Sequence, residues 1–453
     1  MKRRVIIRPA DRKGAIVSST RIVFLAGFGL LFLTGVTSVR HLLDNALSAY
    51  LLGWALYGMF ARGPLQETGL RFLLTTGTLI FCWILAEGAT LFRLIDYRAL
   101  FGSYESGTAL SLTGRRFDSE LLWRHDPHYQ FEAPYQGNIG RALCMPPDPS
   151  RTVVIRYDRN GFRNAQDLET AEVVVIGDSY VEGYLMSDEH LLTTHLSKLQ
   201  GMSVANLGHS GYGPQQELAV LRRFGLPLKP KTVVWAFFEG NDFSDAEKYW
   251  TPGSTTPRLG IAPWQDFWQD FWFRSLTRNV SALLLRSKQP CTPDQSLTEF
   301  RAEFLDAARR TTTVFFASTE VGPISPRALH KAVAPMIQAA QLCHEQGIRF
   351  LVAFVPEKFR VYHDLHNVSL AATAVRQWHV SDLPTHLQRL LEEADPHIEY
   401  VDLTPALKAA SRAGIPTYLA DDTHWTAEGN RVAADTIHRA LQKASQTRIS
   451  PDT

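Results

Sequence analysis

From residue 151 onward the chain alternates short runs of β-branched and aromatic residues with stretches of helical spacing, and that alternation leaves few folds open. The runs are 173–176 (Val-Val-Val-Ile), 204–207, 232–238, 350–355 and 399–403. Helices are predicted at 190–199, 214–224, 327–346 and 426–443. A run that is apolar at every position, such as 173–176, is what a strand covered on both faces looks like. Strands and helices in alternation form a parallel sheet. The predicted fold is therefore α/β, a doubly wound, flavodoxin-like sheet of five parallel strands. Gly347, just past the third helix, stands where a left-handed helix end places a glycine.

Sheets of this kind bind ligands beyond the carboxyl ends of their strands, and there the sequence puts its polar clusters. The first strand runs into Gly177-Asp178-Ser179-Tyr180 and the second into Asn206-Leu207-Gly208-His209-Ser210-Gly211. The third gives Glu239-Gly240-Asn241-Asp242, and Asp421-Asp422-Thr423-His424-Trp425 precedes the last helix. These residue types suit acyl transfer. A serine at a strand-to-helix turn is exposed, close to a helix N-terminus that favours a developing alkoxide. A histidine with an acid two or three positions earlier takes the serine proton while the carboxylate fixes its tautomer. An oxyanion hole needs two or three preorganised donors. The backbone N–H groups of Ser179 and Gly211, with the Asn241 amide, supply three.

In this order the clusters resemble the four blocks of the SGNH, or GDSL, hydrolase family. The resemblance spans about residues 155–445, including Asn160-Gly161-Phe162-Arg163, similar to the lead-in of membrane-anchored members. It implies Ser179 as nucleophile, Gly211 and Asn241 as oxyanion donors and His424 as base. Two aspartates compete for the acid. The common Asp-x-x-His block selects Asp421, whereas the Asp-Thr-His-Trp form resembles the alginate O-acetyltransferase-like branch and selects Asp422, with Asp421 as a loop cap. The run Val355-Pro356-Glu357-Lys358 also looks like that branch. Asp178, His209 and Lys358 are the candidates for lining the substrate pocket. Lys358 has an ordinary exposed-lysine reading beside that of an acidic-substrate contact.

The first hundred residues read differently. Uncharged runs at 22–39, 46–61 and 72–92 (the last carrying only Glu87) are of membrane-spanning or near-spanning length. Seven basic residues lie within the first 21 positions, which sets the N-terminus in the cytoplasm. A cleaved signal peptide is the alternative for the first run, but its basic region is long and no small-x-small site precedes Arg40. Three spans deliver the rest of the chain to the far side of the membrane; two leave it in the cytoplasm. The expected layout is a basic tail (1–21), a membrane region (22–93), an irregular connector (94–150), the catalytic domain (151–446) with an insertion at about 243–326, and a tail (447–453).

A formal charge of +2 points to no nucleic-acid partner. No P-loop or dinucleotide glycine pattern occurs, and no metal or other cofactor is expected. His363 and His366 read as a surface helix end. Of the 4 cysteines, Cys82 lies in an apolar run. Cys144, Cys291 and Cys343 allow either a Cys144–Cys291 disulfide or three free thiols. Trp264, Trp268, Phe271 and Trp272 form a helical stripe read as the insertion's own core, with a sugar-stacking or membrane-touching lid as the alternative. Together these features predict a serine esterase or acyltransferase anchored in a bacterial cytoplasmic membrane. It would act outside the cytoplasm on O-acyl, chiefly O-acetyl, groups of envelope carbohydrate, beside polysaccharide machinery. The competing expectation is a catalytically idle carbohydrate-binding or assembly component of such machinery.

Overall fold

The computed structural model describes residues 50, 53–54, 57, 65–92, 94–95, 97, 115–118, 120–248, 268, 271–272, 274–280, 291–316, 325–370 and 373–449. The chain divides into two units, one of residues 1–104 with 271–290, the other of 105–270 with 291–453.

In the first unit the third apolar run forms the helix Leu65–Leu91. Its stretch Gly69–Leu91 is long and apolar enough to cross a membrane, with a mean hydropathy of 1.6. Large apolar side chains stand outward along it, among them Leu73, Leu74, Phe81 and Ile84. Glu87, the acid in this run, is satisfied locally: its carboxylate accepts from the Thr277 N–H at 2.9 Å and the Thr277 hydroxyl at 2.6 Å. The run 22–39 lies outside the described residues. So does 46–61, except for four positions that are helical.

In the second unit the strands are β1 (Arg115–Asp118), β2 (Leu122–His125), β3 (Gln130–Tyr135), β4 (Asp148–Arg156), β5 (Val173–Gly177), β6 (Val204–Gly208), β7 (Thr232–Phe238), β8 (Arg301–Leu305), β9 (Thr311–Phe315), β10 (Arg349–Val355), β11 (Val368–Ser369) and β12 (Glu399–Asp402). The main sheet has five strands in the order β12-β10-β7-β5-β6, all parallel. β6 lies on one side of β5, and β7, β10 and β12 follow on the other, which makes the sheet doubly wound and places a crevice outside the carboxyl end of β5. Both faces are covered. Val174 and Ile176 of β5 point into one core with Trp235, Val352 and Met336; Val173 and Val175 point into the other with Val234, Ala353 and Ile437. This is why β5 carries no polar alternation.

Helices formed close to where the spacing predicts them: Leu192–Gln200, Pro214–Val220, Pro326–Glu345 and Ala427–Ile449. Gly347 follows with φ +67°. Two expectations need correction. The stretch 94–150 is not merely irregular: β1 and β2 form an antiparallel pair, and β3 pairs antiparallel with β4. Nor does the aromatic stripe build a core for the insertion, because Trp268 and Trp272 are 50% and 51% exposed; Trp264 lies outside the described residues. The insertion instead contributes the helix Asp242–Lys248 and the hairpin β8–β9, to which β11 adds. Cys144 and Cys291 form a disulfide across 147 residues, and Cys343 is a buried thiol.

Candidate active site

β5 ends at Gly177, whose φ of +156° and tight surroundings leave no room for a side chain: a Cβ there would lie 2.6 Å from the Val181 side chain and 2.9 Å from the Ala236 carbonyl. The chain then turns into the single-turn helix Ser179–Glu182. One turn carries little of the macrodipole that a longer helix would offer, so the expected helix-terminus effect on Ser179 is small. What the turn provides is direction. Asp178 caps it, its Oδ1 accepting from the Tyr180 N–H at 2.9 Å, and Ser179 is left half-buried at the strand end.

His424 arrives from the loop before the last helix. Its Nε2 lies 2.8 Å from Ser179 Oγ, and its Nδ1 lies 2.5 Å from Asp422 Oδ1. The carboxylate can only accept, so Nδ1 carries a proton, and Nε2 is then free to accept from the serine hydroxyl. Asp422 is fully buried. Its second oxygen accepts from the Asn138 N–H at 2.7 Å, and its first also accepts from the His424 N–H at 3.0 Å. Burial works against its charge, but the His424 charge and these hydrogen bonds hold its carboxyl below the usual range. For His424 the balance is reversed: burial pulls its pKa down, and Asp422 outweighs that and lifts it above the ordinary value. The imidazole is boxed by aromatic rings, with Tyr180, whose hydroxyl donates to the Thr423 carbonyl at 2.7 Å, and Tyr184 against it. Trp425 packs on Tyr180 in turn.

Gly211 and Asn241 also come to the strand ends with solvent access. Gly211 has φ +81°, a left-handed conformation that glycine adopts at no steric cost. The Asn241 amide donates to Asp245 Oδ2 at 2.5 Å, one helical turn on, which fixes the amide plane and leaves its second N–H for another acceptor. Beneath them lie Glu217 and Asp242, both buried, and burial pushes each carboxyl well above its ordinary range. Burial likewise lifts Asp178 to about 6.

The structure separates the two competing aspartates and changes three other assignments made from sequence. Asp421 does not meet His424: its Oδ1 accepts from the Tyr135 hydroxyl at 2.5 Å and its Oδ2 from the Gly137 N–H at 3.0 Å. Asp421 therefore caps the loop, and Asp422 is the acid on the histidine. Lys358 is not at the surface. It is 2% exposed, with its Nζ donating to the Phe315 and Leu419 carbonyls at 2.6 Å each, so it ties backbone segments together and meets no substrate. Asp178 and His209 are 1% and 0% exposed and do not line an open pocket. Conversely, Asn138, Asp245, Tyr180 and Tyr184 shape the site and were given no role; Tyr180, next to Ser179, and Asp245, four residues after Asn241, left a local trace in the sequence.

Residues 316–452 match the family model described as "SGNH hydrolase-like domain, acetyltransferase AlgX". The matched segment holds Asp422 and His424, and Ser179 precedes it. Among solved structures the chain is similar to a GDSL-like lipase from Bacteroides thetaiotaomicron, with 16% identity over 60% of this chain and 88% of that one, at a TM-score of 0.29. It is also similar to a putative lipolytic protein of the G-D-S-L family from Desulfitobacterium hafniense, with 13% identity over 59% and 98%, at 0.31. An acetylxylan esterase from Geobacillus stearothermophilus shows 11% identity over 61% and 95%, at 0.32. Among curated proteins there is no match.

Proposed function

We propose that this chain, whose residues 316–452 match a family model of SGNH hydrolase-like acetyltransferase domains, is a membrane-anchored enzyme that moves O-acyl groups, chiefly O-acetyl, on envelope carbohydrate through an acyl-enzyme on Ser179. The single observation that carries this is the chain Ser179 Oγ–His424 Nε2 at 2.8 Å and His424 Nδ1–Asp422 Oδ1 at 2.5 Å.

In this reading Ser179 Oγ attacks the ester carbonyl as its proton passes to His424 Nε2, and Asp422 stabilises the imidazolium that forms. The negative oxygen of the tetrahedral intermediate is received by the N–H groups of Ser179 and Gly211 and by the Asn241 amide. Loss of one such donor costs about 3–4 kcal/mol of barrier. Collapse breaks the bond to the leaving alkoxide, which takes the proton from His424. A second hydroxyl, of water or of a sugar, then gives its proton to His424, attacks the acyl carbonyl and restores Ser179. Water makes the enzyme an esterase; a sugar hydroxyl makes it a transferase. The acetyl group is carried over from the acetyltransferase model that residues 316–452 match, and the carbohydrate from the resemblance of the Asp422-Thr423-His424-Trp425 block to the alginate O-acetyltransferase-like branch. The apolar helix stretch Gly69–Leu91 supports anchoring, and the Cys144–Cys291 disulfide supports an oxidising compartment outside the cytoplasm.

The test is hydrolysis of p-nitrophenyl acetate by the full-length, detergent-solubilised protein. Turnover should be lost in Ser179→Ala. Release of acetate should fall, and acetylated sugar appear, when an oligosaccharide acceptor competes with water. An unchanged rate in Ser179→Ala sinks the assignment, and neither turnover nor labelling of the wild type by a serine-reactive phosphonate favours an idle binding component instead.

A further inference from the structure

His209 does not open onto the site, yet it belongs to a buried constellation that the mechanism above leaves unused. Four rings stack through the interior: Tyr157 on His125 at 4.0 Å between centroids, His125 on His209 at 4.5 Å, and His209 on Tyr212 at 4.3 Å, with interplanar angles of 23°, 21° and 9°. Glu182, the last residue of the turn that presents Ser179, lies against this column and is wholly buried. Its Oε1 accepts from the Tyr157 hydroxyl at 2.5 Å and sits 3.2 Å from His125 Nε2. Its Oε2 accepts from the Ser210 N–H at 2.5 Å. On the other side of the same residue, His209 Nδ1 lies 3.0 Å from the Ser210 carbonyl oxygen. A carbonyl only accepts, so Nδ1 is the protonated nitrogen.

Ser210 is thus held at both of its backbone polar groups. Its carbonyl and the Gly211 N–H belong to one trans peptide, so they point in opposite directions. A carbonyl fixed on His209 therefore fixes where the Gly211 N–H points. Gly211 itself, at φ +81°, has no Cβ to hold that peptide plane in place. We propose that His209, with Glu182 behind it, is a positioning residue that sets the direction of the oxyanion peptide Ser210–Gly211. The proposal rests on the reading of Gly211 as an oxyanion donor.

A metal centre is the competing use of this cluster, because His125, Glu182 and His209 offer ligand atoms within 4.8 Å of one another. The ring geometry argues against it. Imidazoles stacked 4.5 Å apart at 21° aim their in-plane lone pairs side by side, whereas a tetrahedral site needs them to converge on one ion.

The experiment compares wild type, His209→Phe, His209→Asn and Ser179→Ala as full-length solubilised protein with p-nitrophenyl acetate. Phenylalanine keeps a ring in the stack and loses the Nδ1–H; asparagine loses the ring and keeps a donor near the same place. Loss of one oxyanion donor corresponds to about 10²–10³-fold in kcat. The expected result is a fall of that order in His209→Phe with KM nearly unchanged and the melting temperature close to wild type, and at least partial recovery in His209→Asn. Phosphonate labelling of Ser179 should follow the same order, because the phosphoryl oxygen meets the same donors. Full activity in His209→Phe overturns the proposal, as does a folded His209→Asn variant no faster than His209→Phe. Should the asparagine variant fail to fold, the split between kcat and KM in the phenylalanine variant decides alone. An equally active Ser179→Ala overturns the functional reading itself, and is thereby distinguished from a failure of His209.

Discussion

Asp421 and Asp422 are neighbours of the same chemical type, and what separates them is the set of N–H groups each meets. Asp422 faces His424 and the Asn138 N–H, while Asp421 faces Tyr135 and Gly137, partners 284 to 286 residues away in the chain. Asp422→Asn should lower kcat by about 10⁴, because an amide no longer enforces the tautomer or stabilises the imidazolium. Asp421→Asn should leave kcat within a small factor and cost about 1 kcal/mol of stability, from disturbing a half-buried acceptor. Comparing both rates and both melting curves checks the pair. The sign of the pH dependence follows from His424. It acts as a base only when neutral, and Asp422 lifts its pKa above 6.5. The kcat/KM profile should therefore rise with pH through a midpoint above 6.5, and that midpoint should move down in Asp422→Asn. At this scale the meeting of Ser179 with His424 was legible, because each sits in a local block that falls at a strand end or helix start. The choice between the two aspartates was not, since it depends on contacts the local sequence does not contain. Asp178, His209 and Lys358 were misread for a related reason: residue type gives polarity, and burial is settled by the fold.

Among the elements, the five core strands were readable because full burial on both faces removes the polar alternation that makes a strand ambiguous. β1 to β4 were not. Their runs are short, polar at many positions, and form antiparallel pairs outside the main sheet. Yet the turn after β3 supplies the N–H groups that meet Asp421 and Asp422, so the stretch taken for a connector helps build the site. Lys358, just after β10, does similar work, joining β9 to the loop that leads to His424 through the Phe315 and Leu419 carbonyls. Burial brings its pKa down to about 7 from 10.5, with Asp422 and Asp421 opposing. Between those values the unfolded chain binds more protons than the folded one, so this group makes stability rise with pH over that window and exerts its full penalty below about 7. In denaturant titrations from pH 7 to 10, Lys358→Met should show a smaller rise in stability than wild type. An identical slope in the two proteins would remove the lysine from this role.

For the whole molecule, charge and apolar runs set the expected topology, and the part of it within the described residues is the helix Leu65–Leu91. The disulfide was undecidable from sequence, because pairing depends on the approach of residues 147 apart. Its reduction, or Cys144→Ser, should destabilise the protein by about 2–4 kcal/mol, measured by thermal or denaturant unfolding with and without reductant. A reporter that works only outside the cytoplasm, fused after Lys443, should be active; an inactive reporter would place the catalytic unit on the inner side and leave the disulfide without an oxidising compartment. The most direct measurement is rapid-quench mass spectrometry of the full-length protein mixed with p-nitrophenyl acetate. The expected result is an acetyl group on the peptide that carries Ser179, absent from Ser179→Ala. Turnover with no acetyl on that peptide, or with the acetyl group on another residue, would contradict the acyl-enzyme on Ser179.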